Sequence, residues 1–256
     1  ESAFKGTQAM EREVLEMVAC TIFKAEKNRF DGYVAAGGTE ANIQALWMYR
    51  NIFLKQHHAT LDEIAIVASE DTHYSIAKAA NLLHLKWYPV SVDHKSREID
   101  SEKLDNSITE AIADGIKSFI VVANMATTMF GSVDDPYLYI NALQKKSIPF
   151  KLHVDGAFGG FIYPVSHPDN QLCFSNPHVS SITLDAHKML QAPYGTGVFL
   201  TRKGQIQYVV TKEAQYVNGM DITLSGSRSG ANAIAVWMIL SSYGPFGYME
   251  KIHKLL

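Results

Sequence analysis

The chain has 256 residues, 47% of them hydrophobic and 19% charged, enough to bury a sizeable core as one large domain or two small ones. A formal net charge of −3 gives no footing for nucleic acid or an anionic membrane surface, and no apolar run reaches the roughly 18 residues of a membrane span. Glu1 to Met10 lacks the apolar stretch of a signal peptide, and two cysteines, Cys20 and Cys173, without metal-ligand spacing fit a reduced, cytoplasmic setting.

In chain order, Val14, Leu15, Met17, Val18 and Ile22 predict a helix that begins almost at the first residue. Gly37-Gly38-Thr39 then precedes a helical stripe of Ile43, Leu46, Trp47 and Phe53, with Thr39 a candidate N-cap. Short apolar runs of strand length follow at Glu63–Ser69, Lys117–Asn124, Phe150–Asp155, Val179–Asp185 and Gly197–Thr201. Between the first two, Leu104, Ile108, Ala111 and Ile112 share one helix face. A last helical pattern, Tyr248 to Leu256, has no C-cap signal, so both ends are expected to be cuts in a longer protein. Strands that are apolar throughout imply burial on both faces. Their alternation with helices predicts one three-layer α/β/α domain around a mostly parallel mixed sheet.

In an open sheet of this kind, ligands sit beyond the carboxyl ends of the strands. The residues that follow the proposed strands are Asp71-Thr72-His73, Asn124 to Thr128, Asp155-Gly156-Ala157 and Asp185-Ala186-His187-Lys188. They hold most of the chain's polar chemistry, and the topology would gather them on one rim.

Lys188 is the centre of that set. A lysine after a strand is ordinarily a solvated surface residue, but a partly desolvated one has a lowered pKa and condenses with carbonyl compounds. Asp155, also at a strand end and followed by small residues, is placed to keep a pyridine nitrogen protonated, which makes that ring an electron sink. Gly38 and Thr39 at a helix start offer backbone N–H groups suited to a phosphate, and His187 could add a donor. His73 could stack on a planar ring and move a proton. Amine, carboxylate, phosphate cradle and stacking imidazole together suit pyridoxal 5′-phosphate (PLP).

Six stretches carry a family resemblance: 37–42 (GGTEAN), 71–78 (DTHYSIAK), 126–131 (ATTMFG), 153–157 (HVDGA), 185–188 (DAHK) and 225–230 (SGSRSG). In this order they resemble the group II PLP-dependent amino-acid decarboxylases of the aspartate-aminotransferase fold, and the 71–75 and 127–131 stretches look most like histidine and serine decarboxylases. The resemblance implies a PLP-dependent transferase fold type I large domain over 1–256, without the small C-terminal domain. It implies Lys188 as the Schiff-base lysine, Asp155 as partner of the ring nitrogen, and Ala157 and His73 on the two ring faces. Gly38, Thr39 and His187 would hold phosphate. Ser227 would reach in from the other subunit of a homodimer with a shared active site, and Thr128 would lie near the cofactor or the substrate carboxylate. Arg228 is open between an ion pair and a substrate contact. Asp185 stands where many members carry Ser or Asn, and a carboxylate facing phosphate would repel it, so its side chain is expected to point elsewhere or to bond through a neighbour.

The implied reaction is decarboxylation of an L-amino acid to amine and CO2, with histidine, serine, aromatic and acidic amino acids as candidate substrates. The alternatives are a carbon–carbon lyase or aminotransferase on the same cofactor, or a non-catalytic dimer partner.

Overall fold

The computed structural model describes residues 4–211 and 220–255; Glu1 and Leu256, the bounds of the expected domain, lie outside them. Seven strands form one sheet in the order β1-β7-β6-β5-β4-β2-β3. They are β1 (Phe30–Ala35), β2 (Ile64–Ser69), β3 (Lys86–Val90), β4 (Ser118–Asn124), β5 (Phe150–Gly156), β6 (Val179–Asp185) and β7 (Gly197–Arg202). All five strands read from the sequence are present. The two others, β1 and β3, are the edges. Pairing is parallel from β3 through β2, β4 and β5 to β6, and antiparallel where β7 meets β6 and β1. Only β7 therefore runs against the rest, and six strands end on the same rim.

The helices are α1 (Lys5–Glu16), α2 (Gly38–Gln56), α3 (Ser75–Leu83), α4 (Ser101–Ala113), α5 (Pro136–Lys145), α6 (Tyr163–Ser166) and α7 (Gly230–His253). Local chemistry fixes their ends. The Asp100 carboxylate accepts from the amides of Glu102 and Lys103 to start α4, and Asp135 accepts from Tyr137 at the start of α5, with Pro136 in its first turn. Gly244, at φ 60, breaks α7 just before Pro245.

Two cores sandwich the sheet. On one face α1, α4, α5 and α7 cover Ala65 and Val67 of β2, Val121 of β4, Leu152 and Val154 of β5, and Ile182 and Leu184 of β6. On the other, α2 and α3 cover Ile64, Ile66 and Ala68 of β2 and Ile120 and Val122 of β4. The period of two is thus visible inside strands buried on both sides. It also turns His153 and Asp155 of β5, and Ser181, Thr183 and Asp185 of β6, towards α2. That helix buries far more than the single stripe read from its sequence: Ala41, Asn42, Gln44, Ala45, Met48, Tyr49 and Ile52 are enclosed along with Leu46 and Phe53.

Candidate active site

The parallel strands deliver their carboxyl ends to the start of α2. Gly197, the first residue of β7, pairs with Asp185 on one side and Ala35 on the other. A Cβ there would meet the Gly37 backbone at 2.8–3.0 Å, so only glycine lets the turn before α2 lie on the sheet. The first turn of α2 therefore hangs over Asp185 and Ala157: a Cβ on Gly38 would come within 2.9 Å of Asp185 Oδ2 and 3.0 Å of the Ala157 Cβ.

Thr39 is not the N-cap expected from the sequence. Gly37 takes that position, its carbonyl accepting from Ala41 N–H, because the close approach to Gly197 starts the helix two residues earlier. No N-cap side chain accepts from the first turn. Glu40 instead bends back to accept from Ala36 N–H at 2.8 Å, and Gly38 and Thr39 of the same turn border a cleft.

That cleft has a volume of about 530 Å3 and is lined by Gly38, Thr39, His73, Ala157, His187 and Lys188 among others. Six of the residues singled out in the sequence are thereby brought together. Asp155 lies beneath, reached through Asn42 and Ala157: Oδ2 accepts from Asn42 Nδ2 at 2.8 Å and Oδ1 from Ala157 N–H at 3.0 Å. Each oxygen keeps a lone pair for a further donor.

Lys188 Nζ lies 3.0 Å from Asp185 Oδ2, and His187 Nε2 lies 3.8 Å from the same oxygen. Of the two courses expected for Asp185, it does not turn away but pairs with its neighbour Lys188. As an inward-facing residue of a buried strand, its carboxylate sits under the Gly38 turn, with the Lys188 ammonium beside it and Oδ1 buried without a hydrogen-bond partner. His187 donates through Nδ1 to the Thr196 carbonyl at 2.8 Å, which leaves Nε2 towards the cleft. His73 precedes α3. Its Nδ1 pairs with Ser75 Oγ at 2.8 Å and accepts from Ser75 N–H, and burial holds its pKa below the ordinary histidine value. Neutral, with Nδ1 an acceptor, it carries its proton at Nε2.

Two of the singled-out residues lie outside this cleft, of which Ser227 is the one expected in the other subunit's site. Thr128 is exposed in the turn after β4 and is not among the cleft's lining residues. Ser227 lines a second cleft, of about 660 Å3, between α1 and the start of α7. Arg228 pairs with the Glu11 carboxylate, donates to the Val34 carbonyl at 3.0 Å and lies over the Tyr33 ring, so within this chain it makes the ion pair that was one of its two expected uses. Sequence reasoning passed over Asn42 and Ser75, which touch Asp155 and His73. Their signal was a polar side chain at a helix position that should face the sheet.

The residues present suit PLP. An amine, a carboxylate with free lone pairs, and amide and imidazole donors surround one cleft, and small residues leave room for a flat ring. Strand order, the lone antiparallel β7, and an amine and carboxylate at neighbouring strand ends define a class, the type I fold of PLP enzymes. Comparison with known proteins narrows it. The pattern described as "Pyridoxal-dependent decarboxylase conserved domain" matches residues 6–256, and the chain belongs to that family. It is 56% identical over 252 residues to a tryptophan decarboxylase of Clostridium sporogenes, spanning 98% of this chain and 60% of that one. An L-aspartate/L-glutamate decarboxylase of Pyrococcus horikoshii is 31% identical, over 98% of this chain and 63% of the other. A histidine decarboxylase of Solanum lycopersicum is 30% identical, over 87% of this chain and 51% of its own. The chain thus spans less than two thirds of these relatives. Among solved structures, the sphingosine-1-phosphate lyase of Burkholderia pseudomallei superposes with a TM-score of 0.83 at 22% identity, covering 98% of this chain and 58% of the lyase. An L-methionine decarboxylase of Streptomyces reaches 0.81 at 22%, covering 96% and 66%. At that identity the likeness is one of fold.

Proposed function

We propose that the protein is a PLP-dependent decarboxylase of an L-amino acid, with Lys188 as the residue that holds the cofactor. The observation that carries this reading is the convergence of Lys188, His73, Ala157 and the first turn of α2 on one cleft directly above Asp155. Bound there, PLP would supply an aldehyde for the Lys188 amine and a cationic ring able to accept the electrons of a breaking bond. The chain's own residues do the rest. Gly38, Thr39 and His187 would offer donors to the phosphate, Asp155 would accept from the ring nitrogen, and Ala157 and His73 would bound the ring's two faces. The Nε2–H of His73 points a transferable proton into the cleft.

An aromatic substrate fits best. Ile43, Tyr74, Tyr194 and Leu224 line the same cleft, and apart from the histidines Lys188 is its only cationic lining residue among the described ones. A substrate with a second carboxylate would find little to neutralise it. The 56% identity to a tryptophan decarboxylase points the same way. The site is read as shared across a homodimer: Tyr194 at its mouth is 92% exposed, and Ser227 lies in a different cleft of its own chain. The unpaired Cys20 and Cys173 suit a cytoplasmic setting.

The test is CO2 release by the full-length protein with PLP across tryptophan, tyrosine, histidine, serine and glutamate. Release with an aromatic substrate, absent in Lys188→Ala, is the expected result. A borohydride-fixed cofactor on Lys188 with no CO2 from any substrate would replace the decarboxylase by an aldol-type lyase or an aminotransferase. Full activity in Lys188→Ala would overturn the site.

A further inference from the structure

β5 and β6 are apolar on the face that meets α1, α4, α5 and α7, yet on the α2 face they carry His153, Asp155, Ser181, Thr183 and Asp185, all buried. A polar seam in a two-sided core is destabilising unless every group is paired. Here the pairing runs in one direction. The Asp155 carboxylate can only accept, so the Asn42 amide must turn its Nδ2 towards it, at 2.8 Å. The second Nδ2 hydrogen goes to Ser75 Oγ at 3.0 Å, and Ser75 can then give its own hydrogen to His73 Nδ1 at 2.8 Å. Asn42 Oδ1 is left facing His153 Nε2 at 2.9 Å and must accept, which places the His153 proton at Nε2, shared with Thr183 Oγ1 at 3.2 Å.

His153 is fully buried, and its pKa is pushed down to about 4, so the ring is neutral and its Nδ1 accepts from Ser181 Oγ at 2.6 Å. Ser181, its hydrogen committed, accepts from Tyr49 OH at 2.5 Å. Burial pushes the Tyr49 phenol well up, so it stays protonated as the first donor. The order Tyr49, Ser181, His153, Asn42 leaves no direction free, and at Asn42 the chain forks to Asp155 and, through Ser75, to His73.

We propose that Asn42 is a positioning residue that fixes both groups facing the cofactor at once: it presents Asp155 as an acceptor beneath the ring and locks His73 as the Nε2–H tautomer, a donor into the cleft. The inference rests on reading the cleft as a PLP site for Asp155 and His73 to act upon; the hydrogen-bond chain itself can be tested without cofactor. Asn42→Asp keeps the shape and removes both donors, setting a second carboxylate against Asp155. Ser75→Ala cuts only the His73 branch.

The experiment is nitrogen NMR of the full-length protein labelled at histidine, without cofactor at neutral pH, followed by PLP titration of wild type and both variants. The expected result is a neutral Nε2–H ring at both His73 and His153 in wild type. Ser75→Ala should loosen the His73 tautomer, which then keeps only the longer 3.3 Å bond from the Ser75 backbone N–H, and should leave His153 unchanged. Asn42→Asp should disturb both rings and raise the PLP dissociation constant about ten-fold or more, as expected for losing a charge-assisted hydrogen bond. A wild-type His73 protonated at Nδ1 would overturn the proposal, as would a folded Asn42→Asp with wild-type tautomers and affinity. If Asn42→Asp does not fold, the wild-type tautomers and Ser75→Ala still decide. A wild-type protein that takes up no PLP would refute the reading of the cleft, while its histidine tautomers would judge the chain separately.

Discussion

Gly197→Ala tests how the first turn of α2 is held in place. The added Cβ would lie 2.8 Å from Gly37 Cα, 2.9 Å from its carbonyl carbon and 3.0 Å from its nitrogen. Ordinary contact begins near 3.4 Å, and all three neighbours are backbone, which cannot rotate aside. Gly37 must retreat by roughly half an ångström, an overpacking that costs about 1–3 kcal/mol. For a chain of this size that lowers the melting temperature by about 2–12 °C. The displaced turn carries the Gly38 and Thr39 amides with it, so PLP affinity should fall alongside stability. Gly6→Ala is the control: Gly6 lies in the first turn of α1 with nothing within 4 Å of the added carbon, and alanine there should stabilise by up to roughly 0.5–1 kcal/mol. Thermal melting and PLP titration of the full-length proteins provide both readouts. A Gly197→Ala protein that melts with wild type and binds PLP equally well would refute the idea that this contact sets the cradle.

Arg228→Ala leaves the Glu11 carboxylate with the Val34 N–H but without its cation, and removes the bond to the Val34 carbonyl. It should destabilise by about 1–3 kcal/mol, and Arg228→Lys, lacking the planar fork and the face over Tyr33, should recover only part of this; equal urea midpoints for wild type and Arg228→Ala would contradict the structural role. Asp134, buried and hydrogen-bonded to Asn124, has its carboxyl pushed up to about 7 by burial. The folded chain therefore holds a proton that the unfolded chain has released. Its contribution is full at low pH and is lost as pH rises towards 7. His153, held down to about 4, acts oppositely: the unfolded chain binds the proton first, and stability is lost as pH falls from about 6.5 towards 4. Asp134→Asn removes the first of these, so its stability should climb with pH relative to wild type between about 4 and 6.5, by at most about 1.4 kcal/mol per unit. Urea unfolding at three pH values checks this, and parallel curves would count against it.

The interior of the sheet was legible in the sequence and its edges were not. β2 and β4 are buried along their whole length, so their apolar runs stand out. β1, with Asp31 and Gly32 in its half-buried first part, and β3, with Lys86 and Pro89, have the mixed composition that a strand paired on one side tolerates. The rim residues were legible for a related reason: chemistry at the ends of parallel strands converges by topology alone. Thr39 was misplaced because the start of α2 is set by Gly197, far along the chain. The partners of Asp155 and His153 escaped for the same reason, since Asn42 lies more than a hundred positions away from both. What can be seen beforehand is only that β5 and β6 alternate polar and apolar residues where β2 and β4 do not.

The lone antiparallel strand sets a timetable for synthesis on the ribosome. Among the described strands β1 pairs with β7 alone, and the turn that opens α2 rests on the first residue of β7. The N-terminal edge of the sheet, and the first turn of α2 beside it, have no place to dock until roughly 160 further residues have emerged, a wait of about 8–30 s at ordinary elongation rates. Lys188 leaves the ribosome shortly before β7, so amine and cradle come together near the end of that interval. Until β7 has emerged, the nascent chain has no assembled cleft.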